Sequence, residues 1–148
     1  MKSKSIAVVL AGAAVCALAS VAFASQATVD QRVSGMKSLI GLMRSATGAT
    51  DPAVAKESLN KAIAFAKSIP GLFPKGTGTG DPGISKTRAK AEIWTKPTAF
   101  QTESDGFVAA LQAAHDAAGD AAKYSAAMDA VRKSCSSCHD GFRGPATD

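Results

Sequence analysis

Apolar residues recur along this chain at alternating spacings of four and three. Val29, Val33, Met36, Ile40 and Met43 form one such stripe, the period of a helix with one buried face. Gly48 closes that helix, and Asp51-Pro52 opens the next as N-cap and first-turn proline. Leu59, Ala62, Ile63, Ala66 and Ile69 carry a second stripe as far as Pro70. "PGLFPKGTGTGDPGIS", residues 70–85, is a loop by composition, with Leu72 and Phe73 placed to tuck inward. A short segment around "KTRAKAEIW" precedes Pro97, and Thr98 with Gln101 matches a capping box. Phe107, Leu111, Ala114 and Ala118 make the third stripe, and Gly119-Asp120 is a stop followed by a new N-cap. Tyr124, Met128, Val131, Cys135 and Cys138 share one face of a fourth helix, which ends at Gly141, Gly144 and Pro145. The β-branched alternation of a strand is nearly absent. The pattern predicts an all-α fold, an antiparallel four-helix bundle with a long crossover loop between its second and third helices.

The start of the chain follows different rules. Lys2 and Lys4 precede an uncharged run over residues 6–23, and Ala22-Phe23-Ala24 supplies small residues at its exit. A positive start, an apolar middle and an A-x-A end are the grammar of a cleaved export signal. A retained anchor is the rival, but the run is mostly alanine, valine and small polar residues. Residues 1–24 are therefore expected to be removed, leaving residues 25–148 as one domain without stable membrane insertion. Cys16 would leave with the leader; the residues just before it run in the wrong order for a lipoprotein signal. The leader holds two lysines and no acids, so the formal charge falls from +5 to +3. No concentrated basic face appears, and nucleic acid is excluded as a partner. Export to an oxidising compartment would turn a lone cysteine pair into a disulfide unless something else claims it.

"VRKSCSSCHDGFRG", residues 131–144, makes that claim. In C-x-x-C-H, two thiols can add across the vinyl groups of a haem while the adjacent histidine ligates its iron. Positions i, i+3 and i+4 lie on one helix face, which suits Cys135, Cys138 and His139 to that task. A structural zinc would want four ligands, and beyond the motif only His115 is a plausible nitrogen donor. A thioredoxin-like pair belongs at a helix start after a strand. A plain disulfide leaves His139 without a role. The alanine-rich stripes and the 5% aromatic content also fit a bundle that buries a large apolar cofactor, since alanine contacts bury little area.

From these residues the chain resembles the class II c-type cytochromes, the cytochrome c′ family. "RVSGMKSLIGLM" looks like that family's first helix, "LFPKGTGTG" like its crossover loop, "AEIW" followed by "AF" like its middle signature, and "CSSCHDGFR" like its haem site. The resemblance implies one covalent haem c and its iron, thioethers at Cys135 and Cys138, and His139 as proximal ligand. It also places Arg32 and Arg143 near the haem edge or propionates, where a guanidinium can donate two parallel hydrogen bonds. The family's distal residue falls four positions after an arginine, at Met36, making Met36 the sixth iron ligand of a low-spin branch. From the stripe alone Met36 is core filler; Met43, one heptad on, is the backup ligand. Met128 shares a helix with the proximal histidine, His115 is unassigned, and Trp94 is expected to pack rather than relay electrons.

Two functions follow as expectations. The first is a periplasmic carrier of single electrons through a His/Met-ligated haem, meeting redox partner proteins as a monomer or homodimer. The alternative is a five-coordinate cytochrome c′ that binds nitric oxide or carbon monoxide at an open distal face. An enzyme is not expected, since Met36 is flanked by Gly35 and Lys37 and no distal acid–base pair is evident.

Overall fold

The computed structural model describes the backbone of residues 12–145 and the side chains of residues 26–145. The first eleven residues of the expected leader and the last three of the chain lie outside the described residues. Helix α1 covers Gly12–Gly48, α2 Pro52–Ser68, a short α3 Glu92–Thr95, α4 Pro97–Ala117 and α5 Ala121–Phe142, with a 3-10 turn at Pro70–Leu72. The described residues contain no strand, only an isolated antiparallel bridge between Ala89 and Arg143. Among them no helix is long and apolar enough to cross a membrane.

Helix ends follow the local chemistry. The Asp51 carboxylate accepts from the Ala53 amide at 2.8 Å, and Asp120 accepts from Lys123 N–H at 3.1 Å, each satisfying an orphan donor of a first turn. The capping box expected at Thr98 does not form. Helix α4 starts two residues earlier, with Lys96 at its N-cap position, Pro97 in its first turn and no side-chain cap, because the fixed φ of proline is already helical there. Gln101 instead donates to Asp105 one turn on.

The four long helices pack in sequence, α1 on α2, α2 on α4 and α4 on α5, while α1 and α5 do not pack closely on one another. Leu59, Ala62, Ile63 and Ala66 of α2 and Phe107, Leu111 and Ala114 of α4 fill the interior with Met128 and Val131 of α5. The inward face of α1 departs from expectation. Val29, Arg32, Leu39 and Ala46 are buried, whereas Ile40 is 54% exposed. Helix α1 is rotated so that Gly35 meets Phe65 of α2: a Cβ at Gly35 would lie 2.1 Å from that ring. Only glycine allows so close an approach.

The crossover loop lies against the bundle end. Leu72 is buried. Phe73 stacks edge-on against Phe100 of α4, centroids 5.1 Å apart, and Phe100 repeats this with Phe142 of α5 at 5.2 Å. Trp94 Nε1 donates to the Phe73 carbonyl at 2.9 Å and its ring packs on Gly78, the packing role expected of it.

Candidate functional site

Helix α5 presents Cys135 and Cys138 half-buried, one turn apart, packed against the interior cluster. They are free thiols, not a disulfide. Burial raises the pKa of Cys135, and burial, the Glu103 carboxylate and Cys135 push Cys138 up to about 11. Both thiols are therefore protonated at neutral pH, unlike the low-pKa thiolates of redox-active pairs. Ser137 donates to Glu103 of α4 at 3.0 Å, an exposed bond between the two helices.

His139 sits at the exposed edge beside them. Partial desolvation, then the charges of Arg143 and Arg88, lower its pKa, with Asp140 opposing. The neutral imidazole, the form with a lone pair for a metal, is thereby favoured. Among the described residues no cluster of three His, Cys, Asp or Glu side chains could hold a bare metal ion.

Met36 of α1 is half-buried against the same interior cluster, as is Met43. Met128 is buried on α5 itself. His115 is partly buried on α4, its Nδ1 3.0 Å from the Asp116 carboxylate.

The two arginines have different settings. Arg32 is 4% exposed and lies 4.4 Å over the Phe73 ring, a cation–π contact. It donates to the Leu72 carbonyl, to the Thr77 hydroxyl and carbonyl, and to the Thr87 hydroxyl. These acceptors are all neutral, and burial lowers its pKa to about 10, so it keeps its charge at neutral pH. Arg143 is exposed at the C-cap of α5, its N–H bonded to the His139 carbonyl at 3.0 Å. Thr77, Thr87 and Arg88 escaped sequence reasoning. They lie in or beside a glycine-rich loop with no periodicity, and only their tertiary partners mark them out.

The fold and the site define a haem-bearing four-helix bundle. The family model described as Cytochrome C′ matches residues 24–143, and the chain belongs to that family. Among solved structures it is similar to the cytochrome c′ from Rhodobacter Spheriodes, with 31% identity and a TM-score of 0.71 over 82% of this chain and 98% of that one. A cytochrome c′ with an unusual ligand-controlled dimer dissociation has 24% identity and a TM-score of 0.71 over 82% and 97%. A nitric oxide complex of a mutant cytochrome c prime from Alcaligenes xylosoxidans has 22% identity and a TM-score of 0.69 over 82% and 97%. No curated protein matches the chain.

Proteins of this family carry covalently attached haem c with its iron, which makes the chain a haem c protein of the electron-carrying or gas-binding kind. The residues present fit the group. Two half-buried thiols and an imidazole whose pKa is lowered follow one another along α5, a helix that among the described residues does not pack closely on α1.

Proposed function

We propose that Cys135 and Cys138 hold the haem, that His139 ligates its iron, and that the protein binds nitric oxide or carbon monoxide on the iron face away from His139. The observation that carries this reading is the unpacked side between α5 and α1, with the thiols on one helix and an apolar stripe on the other. Haem, when bound, would supply an iron able to take a small gas and a one-electron couple. The chain supplies the neutral imidazole and an interior of Met36, Leu39 and Phe65. These side chains carry no hydrogen-bond donors, so an iron face beside them would favour uncharged diatomic ligands over anions. The nitric oxide complex of the Alcaligenes xylosoxidans relative supports the same choice.

One observation favours the second reading, the electron carrier. Met36 lies one turn beyond buried Arg32, half-buried on the inward face of α1, and a thioether there would close the iron as sixth ligand. On either reading the protein is a binder or carrier rather than an enzyme. It works in the periplasm after loss of residues 1–24, as a monomer or homodimer, and as a carrier it would exchange electrons with redox proteins. Arg143, exposed beside the haem helix, is suited to a propionate, and Arg32 to the haem edge.

Absorption spectra of both redox states, with and without carbon monoxide, test the pair. A high-spin spectrum that shifts on adding the gas is the expected result. A low-spin spectrum indifferent to carbon monoxide, converted to a gas-sensitive one by Met36→Ala, would replace gas binding with the carrier. Cys135→Ala with Cys138→Ala should abolish haem that survives acid–acetone extraction.

A further inference from the structure

The haem helix and α1 carry the two candidate axial residues yet scarcely touch, so beyond the indirect packing through α2 and α4 their separation depends on ties at the two ends. At the far end the tie is direct: Tyr124 Oη of α5 donates to the Ala46 carbonyl of α1 at 2.8 Å. Near His139 it runs through residues 87–90 of the crossover loop. On the α1 side, Arg32 donates to the Thr87 hydroxyl, which also accepts from the Ala89 amide at 3.2 Å. On the α5 side, Lys90 N–H donates to the Phe142 carbonyl at 3.0 Å and Gly144 N–H to the Arg88 carbonyl at 2.6 Å. Arg88 Nε returns bonds to the Gly144 and Pro145 carbonyls, each at 2.8 Å, and Lys90 Nζ reaches the Asp140 carbonyl at 2.8 Å.

The geometry points to residues 87–90 as a strap that sets the spacing between the His139 end of α5 and the Met36 face of α1, with Thr87 and Arg88 as its positioning residues. Arg32, Thr87 and Ala89 are buried, so water does not compete for these bonds. A buried guanidinium that let go of them would lose charge-assisted bonds without regaining hydration. The α1 half of the strap is therefore its firm part, whereas the Arg88 and Lys90 side-chain bonds to the tail are partly or fully exposed. The Thr87 hydroxyl is the shared node, one oxygen accepting from α1 and from the amide that starts the bridge to the α5 tail. Its functional consequence rests on the haem reading; its mechanical half does not.

The test is made on the holoprotein with Thr87→Val, which removes the shared acceptor at nearly constant shape, and Thr87→Ser, which keeps it. Amide exchange is followed at Lys90 and Gly144, whose bonds are at the tail end of the strap. Carbon monoxide affinity, the spin-state spectrum and covalent haem content are measured alongside. Thr87→Val should retain covalent haem and quicken exchange at both amides by about tenfold, the factor for one lost buried hydrogen bond. It should also shift the gas affinity or the spin-state spectrum, and Thr87→Ser should restore both. Unchanged exchange at Lys90 and Gly144 would overturn the strap, and so would faster exchange with an unaltered spectrum and affinity. Should Thr87→Val not fold, Arg88→Lys, which keeps the positive charge near His139 but moves the donor off the Gly144 and Pro145 carbonyls, loosens the same strap from the tail side and is judged by the same readouts. Wild-type protein without covalent haem would sink the haem reading alone, leaving the exchange result to judge the mechanics.

Discussion

Gly35 shows how one missing carbon orients a helix. The Phe65 ring occupies the space a Cβ would need, 2.1 Å away, and that contact turns Leu39 inward and Ile40 out. Gly35→Ala should force ring and helix apart and destabilise the fold by about 1–3 kcal/mol, the usual cost of overpacking; a denaturant titration with unchanged slope reads it. Ile40→Ala should be nearly neutral, whereas Leu59→Ala, at a fully buried position, should cost about 3 kcal/mol. The C-x-x-C-H residues were legible from the chain alone because their chemistry is local: spacing on a helix decides which atoms share a face. Arg32 was legible as a functional candidate through resemblance, but its neutral acceptors were not. They arrive from residues 40 to 55 positions away in sequence.

Helix boundaries were the most readable elements, since caps act over two or three residues. Asp51→Ala should lower stability by about 1 kcal/mol through the lost first-turn bond, read as a reduced midpoint of urea unfolding. Asp120 adds a pH dependence. Its carboxyl pKa is lowered chiefly by the backbone N–H of Lys123 and then by that residue's side chain. A depressed folded pKa means the cap contributes fully above the unfolded carboxylate value, near 4. That contribution is lost as pH falls through the lowered folded value. Asp120→Asn should flatten the part of an acid-unfolding curve that lies below the ordinary carboxylate value. The α1 stripe held at Val29, Met36 and Met43 but was misread at Ile40, because Leu39 and Ile40 are adjacent, equally apolar and both compatible with a helical period. Packing against α2 chose between them. The expected cap at Thr98 failed for a related reason, the stronger preference of Pro97 for a helix start.

At the level of the bundle, three helix–helix seams are closed and the fourth, between α1 and α5, is not. Alanines line much of the interior, so the polypeptide alone buries modest apolar area, and a covalently held haem would contribute a large share of the rest. Protein made without haem attachment, through Cys135→Ala and Cys138→Ala, should unfold about 10 °C or more below the holoprotein in a thermal melt. The order of helices, the crossover loop and the attachment motif were determined by the sequence itself, because periodicity, turn residues and a five-residue motif act within a few turns of chain. Which face of α1 turns inward, where the Arg32 charge is satisfied, and how residues 87–90 bind α1 to the tail of α5 were decided only by the tertiary structure. Those features depend on side chains meeting across long loops, where shape and unsatisfied hydrogen-bond donors, rather than local spacing, select the partner.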